Sequence, residues 1–194
     1  MGIVGSMMRR MTLSLVAALI LASFPASEAA STSVGGRAYQ PDGWIKLCGQ
    51  SLGCTIDGLP NPWKGRDIYN QTARRQTLSD AINEGEGIRY WITLQNDGTR
   101  RDTFAVNGCR GNPDFEVNRV LLGKHKRQDP GARDLTRRYR SDRLSFTLDA
   151  GERVVFTLNI ITGSRKQQRY ECRTAFTSQE SGRQDVVAAR MSTF

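Results

Sequence analysis

The chain reads as an all-β domain, a two-layer antiparallel sandwich of seven to nine short strands after a cleaved signal peptide. Three features predict it. Short runs of alternating apolar and polar residues recur through most of the sequence, the period of a strand with one buried face. Gly, Pro, Asn and Asp punctuate those runs. No stretch long enough for a packed helix carries apolar residues at helical spacing. Many short strands between turns are expected to pack as two sheets face to face.

The chain opens on a targeting segment. Met7-Met8-Arg9-Arg10 is basic, Met11–Phe24 (MTLSLVAALILASF) is apolar apart from hydroxyls, and Ser27-Glu28-Ala29 fits a small-residue cleavage site. That order is a secretory signal peptide over residues 1–29. The apolar run is too short to anchor the chain across a ~30 Å hydrocarbon core. The protein is therefore expected to be secreted, to the periplasm or the extracellular space, without a transmembrane anchor. Residues 30–40 are small and polar, a flexible lead-in, and residues 41–194 make one domain.

Within that domain the elements follow in order. Trp44-Ile45-Lys46-Leu47 is a first short strand. Residues 48–65 are rich in Gly and Pro and read as turns, and Asp67-Ile68-Tyr69 as a brief strand or bridge. Residues 71–85 are polar and read as a loop with at most one helical turn. Gly87–Gln95 alternates strongly, with Ile88, Tyr90, Ile92 and Leu94 on one face and Arg89, Trp91, Thr93 and Gln95 on the other. Asn96-Asp97-Gly98 turns the chain into Asp102–Val106. Phe115–Val120 alternates again, residues 123–142 are highly charged, and Leu144, Phe146 and Leu148 mark the next strand. After the turn Asp149-Ala150-Gly151-Glu152 comes the clearest run, Val154, Phe156, Leu158 and Ile160. Those residues are expected to be buried together, with Thr157 and Asn159 less so, because a one-residue slip would turn the whole set outward. Tyr170, Cys172, Thr174 and Phe176 make another strand, and Asp185–Arg190 the last.

Four cysteines, Cys48, Cys54, Cys109 and Cys172, all follow the signal peptide. An even number in an exported chain reads as two disulfides. A metal site would need ligands at spacings absent here: there is no C-x-x-C pair, and the single histidine, His125, is far from any cysteine. No metal and no cofactor are expected. Three connectivities are open. The Gly-flanked spacer GQSLG favours Cys48–Cys54, leaving Cys109–Cys172 to tie the two halves of the sandwich.

The formal charge is +9 over 194 residues, with a pI near 9.9. Removing residues 1–29 deletes two arginines and one glutamate, which leaves +8. Such a balance suits contact with anionic surfaces. The cations crowd one region: Lys124, Lys126, Arg127, Arg133, Arg137, Arg138, Arg140 and Arg143, against Asp129 and Asp134. Lys124, Lys126, Arg127, Arg137, Arg138 and Arg140 are the expected polyanion-binding residues, with Tyr139 able to stack on a ring.

The order of short motifs resembles bacterial secreted Ig-like domains of the cell-adhesion-related (CARDB-type) group. The residues that carry it are Pro41-Asp42 with Trp44-Ile45, Tyr69-Asn70 followed by Gln76-Thr77, and Tyr90 through Gly98. Asp102-Thr103-Phe104, Asp134-Leu135-Thr136, Leu148 through Glu152 and Asp185-Val186-Val187 complete the series. The resemblance implies an Ig-like β-sandwich that acts as a spacer or adhesion module and carries no catalysis. This chain differs in occurring once, in its basicity and in its four cysteines.

Catalytic readings are weaker. His125 lies between cations in Lys124-His125-Lys126-Arg127, which favour its neutral, solvated form over a paired base. Asp97, Asp102 and Glu116 have no spacing that marks a hydrolytic pair. No D-x-[DN]-x-[DN]-G loop is present for calcium. The expected function is a noncatalytic β-sandwich module of the cell envelope or extracellular space, not an enzyme. Its expected partners are an anionic envelope polymer or a protein at the cell surface. The alternative is a small secreted hydrolase or inhibitor acting on an anionic polymer.

Overall fold

The computed structural model describes residues 38–49, 63–123 and 131–194. The signal peptide, most of the lead-in, Cys54 and the predicted polyanion-binding residues Lys124, Lys126 and Arg127 lie outside the described residues. The described elements are β1 (Pro41–Gly49), β2 (Thr77–Ile82), β3 (Gly87–Asn96), β4 (Asp102–Asn107), β5 (Phe115–Leu122), α1 (Thr136–Arg140), β6 (Leu144–Leu148), β7 (Arg153–Thr162), β8 (Arg169–Ser178) and β9 (Gln184–Thr193). They build a four-stranded sheet, β1-β3-β7-β5, and a five-stranded sheet, β2-β9-β8-β4-β6.

The β-sandwich expected from the alternation is present. In the first sheet Ile88 pairs with Ile160, Tyr90 with Leu158 and Ile92 with Phe156. All six point inward and are buried, so the register is the one the sequence pattern demands. From the second sheet Phe104, Val106, Phe176, Val187, Ala189 and Met191 meet them in one core. The Phe156 ring sits edge-on to Phe176 of the second sheet, with centroids 6.4 Å apart.

Several expectations need correction. The second sheet is mixed, because β2 joins β9 in parallel from Thr77↔Ala188 to Ile82↔Thr193. The cause is local: Val186 N–H donates to the Asn70 carbonyl and Ala188 N–H to the Gln76 carbonyl, so the chain enters β2 alongside the start of β9. Residues 77–82, read as loop, are therefore a strand. Its inward positions are Leu78, Asp80 and Ile82, and the acid in the middle hides the alternation. An inward-pointing charge on an edge strand also discourages pairing with other chains. The charged stretch before β6 holds α1, with Leu135 just ahead of it. Leu135 and Tyr139, four residues apart, face the core together, and Tyr139 N–H bonds the Leu135 carbonyl. Asp67–Tyr69 is no strand; the bridge in that region joins Lys64 to Ile45 of β1.

The outer faces of the central strands are also covered. Trp91 does face away from the main core, but it is buried with Cys48 against Trp63 and Val155. Thr157 is likewise fully buried, and its hydroxyl donates to the Gly123 carbonyl. The expectation that Thr157 lies more open than Phe156 therefore fails, because β7 is a central strand with material on both faces. On the second sheet Ala73, Val186 and Ala188 form a small outer cluster.

Cys109 is bonded to Cys172 across 63 residues of sequence. Cys48 is disulfide-bonded as well, and its partner is not among the described residues. The Cys109–Cys172 bridge does not span the two sheets as expected. Cys109 follows β4 and Cys172 lies on β8, and these strands are hydrogen-bonded neighbours through Asn107↔Ala175. The bond instead fixes the point where the chain leaves the second sheet for β5 in the first.

Candidate functional site

The predicted basic face is built on α1. Helical spacing places Leu135 and Tyr139 inward, which leaves Arg137, Arg138 and Arg140 on the solvent side. Arg133 and Arg143 flank them and are also exposed. The nearby acids are already engaged. Asp134 meets Arg119 at 3.6 Å and accepts from Thr136 N–H at 2.8 Å and from the Thr136 hydroxyl. Partial burial works to raise its carboxyl, but the Thr136 bonds and the Arg119 guanidinium outweigh that and hold it below the usual range. Asp142 pairs with Arg110 at 3.0 Å. Among the described residues no carboxylate pairs with Arg133, Arg137, Arg138, Arg140 or Arg143. These five guanidiniums therefore stand as an uncompensated patch.

Tyr139 belongs to the core, not to that patch. It is fully buried, and its hydroxyl lies 2.6 Å from Thr174 Oγ1 and 3.7 Å from Cys172 Sγ. Its ring packs so closely on Gly108 that a Cβ there would lie 2.4 Å from it, which explains the glycine. Burial pushes its phenol well above the ordinary value. It cannot stack on a ligand; it seats the helix that displays the arginines.

A second arrangement, absent from the sequence-predicted site residues, closes the other margin of the sandwich. Gly43 lies on β1, an edge strand, so its edge-facing backbone groups need partners. Asp185 of β9 reaches across to accept Gly43 N–H at 2.7 Å, and the Gln76 amide donates to the Gly43 carbonyl at 3.2 Å. Asp185 also accepts from Asn70 N–H at 2.9 Å and from the Gln76 amide at 2.9–3.0 Å. Asn70 in turn donates to Gln76 Oε1 at 2.6 Å. The clasp needs a glycine at 43, since a Cβ would meet the Phe176 ring at 2.6 Å. One residue away, Asp42 accepts from Trp44 Nε1 and from Asp67 N–H. Burial drives both acids upward against these donors, Asp42 to about 7, with the charge of Asp185 adding to the rise at Asp42.

Pro41-Asp42, Tyr69-Asn70, Gln76-Thr77 and Asp185-Val186, scattered in sequence, thus converge in one network. The turn motifs meet elsewhere: Asn96 N–H donates to the Glu152 carbonyl, and Gly151 N–H to the Asn96 carbonyl. Asp97, Asp102 and Glu116 are not brought together as a hydrolytic pair by any hydrogen bond or shared turn, and among the described residues no acidic, His or Cys cluster could hold a metal. No described helix is long and apolar enough to cross a membrane.

No family model matches the sequence, and no curated protein matches it. Among solved structures, the chain is similar to a family 123 glycoside hydrolase from Clostridium perfringens, at 11% identity and a TM-score of 0.45, over 80% of this chain and 27% of that one. A FixG-related protein from Vibrio parahaemolyticus matches at 10% identity and a TM-score of 0.35, over 56% of this chain and 80% of that one. The seventh PapD-like domain of human CEP192 matches at 11% identity and a TM-score of 0.34, over 61% of this chain and 81% of that one. The chain thus spans about a quarter of the length of the glycoside hydrolase. At these values the activities of those proteins remain their own.

Proposed function

We propose that this protein is an exported, noncatalytic β-sandwich module of the CARDB-like adhesion type that holds an anionic polymer of the cell surface on the face of α1. The carrying observation is the set of arginines at 133, 137, 138, 140 and 143, all exposed and none matched by a carboxylate among the described residues. Guanidiniums left uncompensated attract polyanions and release their counterions on contact. The basic segment at 124–127 adjoins them in sequence and would extend the footprint. Export is supported by the order of the first residues and by the disulfide, which persists in oxidising compartments.

The test is retention of the exported protein on an immobilised anionic polysaccharide and on its neutral counterpart. Retention on the anionic resin alone, abolished by R137Q/R138Q/R140Q at unchanged melting temperature, supports the reading. Equal retention of wild type and variant contradicts it.

A further inference from the structure

We propose that the loop ahead of β2 carries a second binding site, a cleft for a sugar residue bearing a carboxylate. The cleft has a volume of about 480 Å³ and is lined by Ile68, Tyr69, Asn70, Thr72, Arg74 and Arg75. That size lies in the range of small-molecule sites, ~300–1,000 Å³. It sits at the β1–β9 margin, beside the clasp, whereas α1 lies against β5 and β4. The two sites are therefore separate, and this inference does not rest on the α1 reading.

The cleft is held rigidly by groups beneath it. Asn70 is its hub: its Oδ1 accepts from Thr72 N–H, the Thr72 hydroxyl and Arg74 N–H, and its Nδ2 donates to the Arg74 carbonyl. Ala73 is buried against Val186 and Ala188 and pins the loop to the outer face of the second sheet. Both Ala73 and Arg75 adopt left-handed backbone, with φ of 58° and 66°. For L-residues that geometry costs ~1–2 kcal/mol each, and it persists only where surroundings over-determine it. Its result is that Arg74 and Arg75 project to solvent side by side, with no carboxylate partner among the described residues.

The chemistry of the walls selects the ligand. Two guanidiniums present forked donors that match a carboxylate in two-point contact. A bare anion would need nothing more, yet Ile68 and Tyr69 supply an adjoining apolar wall. The Tyr69 hydroxyl is committed to the Asp97 carboxylate, so the ring is fixed and its face, not its hydroxyl, is what the cleft offers. An apolar ring wall beside forked cations fits a pyranose that carries its charge on a carboxylate. A loop already ordered loses little further freedom when such a ligand binds.

The experiment is a titration of the exported chain with a galacturonate tetramer, with a neutral galactose tetramer, inorganic phosphate and acetate as comparators, followed by amide shifts. The uronate should move the amides of residues 68–75, and the three comparators should not. R74Q/R75Q should weaken uronate binding about tenfold or more, and R74K/R75K, which keeps the charge and loses the fork, by several-fold. Tyr69→Phe should bind as wild type, and R137Q/R138Q/R140Q should leave these shifts intact. Equal binding of phosphate or neutral sugar, loss only in the α1 variant, or undiminished binding by R74Q/R75Q would overturn the proposal.

Discussion

Replacing Asp185 with alanine tests the clasp. Its carboxylate is fully buried and receives Gly43 N–H, Asn70 N–H and the Gln76 amide at 2.7–3.0 Å. Asp185→Ala strands all three donors. A buried donor left without a partner costs ~1–3 kcal/mol, so the gross loss is about 3–9 kcal/mol. Part is recovered, because the variant no longer buries an acid whose burial already pushes it upward. The exposed loop beside Asn70 also lets water reach some of the freed groups. The net expectation is a loss of about 3–4 kcal/mol, with Asp185→Asn costing about half as much because it keeps one acceptor oxygen. Urea unfolding at fixed pH measures it, read as a fall in midpoint at constant m-value. Gln76→Ala combined with Asp185→Ala should cost clearly less than the two losses summed, since both remove one network. A loss below about 1 kcal/mol, or strict additivity, would refute the view that the clasp seals this margin.

Stability should fall as pH rises from about 4 to about 7, because Asp42 is shifted up to about 7 when folded and so favours the folded state while protonated. The difference between wild type and Asp42→Asn isolates that slope, with an amplitude on the order of 2–4 kcal/mol; parallel curves would contradict it. Opening the Cys109–Cys172 bond by Cys172→Ala should cost about 4 kcal/mol for its 63-residue separation, seen as a lower melting temperature, and an unchanged transition would count against it. Phe156→Ala should cost about 3–5 kcal/mol, since its ring meets Tyr139, Phe146 and Phe176. A smaller loss than Thr157→Ala would mean the ring is not the hub of the core.

The sandwich was legible wherever burial follows a period of two. β3 and β7 are central strands with continuous alternation, so Ile88 through Leu94 and Phe156 through Ile160 declare their faces and their register. The Cys109–Cys172 pair was legible from spacing, but its role was not, since nothing local says that β4 and β8 are neighbours. β2 was hidden because Asp80 interrupts its inward face, and its parallel pairing is a long-range fact. α1 was hidden because five residues are too few to show a helical period. Tyr139 was misread for the same reason: its neighbours in sequence are arginines, while its neighbours in space are Thr174 and the disulfide. Of the site, charge was visible and geometry was not. The clasp escaped because Asp42, Asn70, Gln76 and Asp185 resemble ordinary turn residues one at a time, and only the fold joins them.

The salt dependence of polyanion binding bears most directly on the proposed function. Each arginine that contacts the polymer contributes roughly one to the slope of log K against log salt. Binding of the exported protein to an anionic polysaccharide, measured across a salt series, should therefore show a steep negative slope. R137Q/R138Q/R140Q should flatten it by roughly three, with the fold intact because exposed, unpaired cations add little to stability. A slope identical in wild type and variant would contradict the assignment of the α1 face as the binding surface.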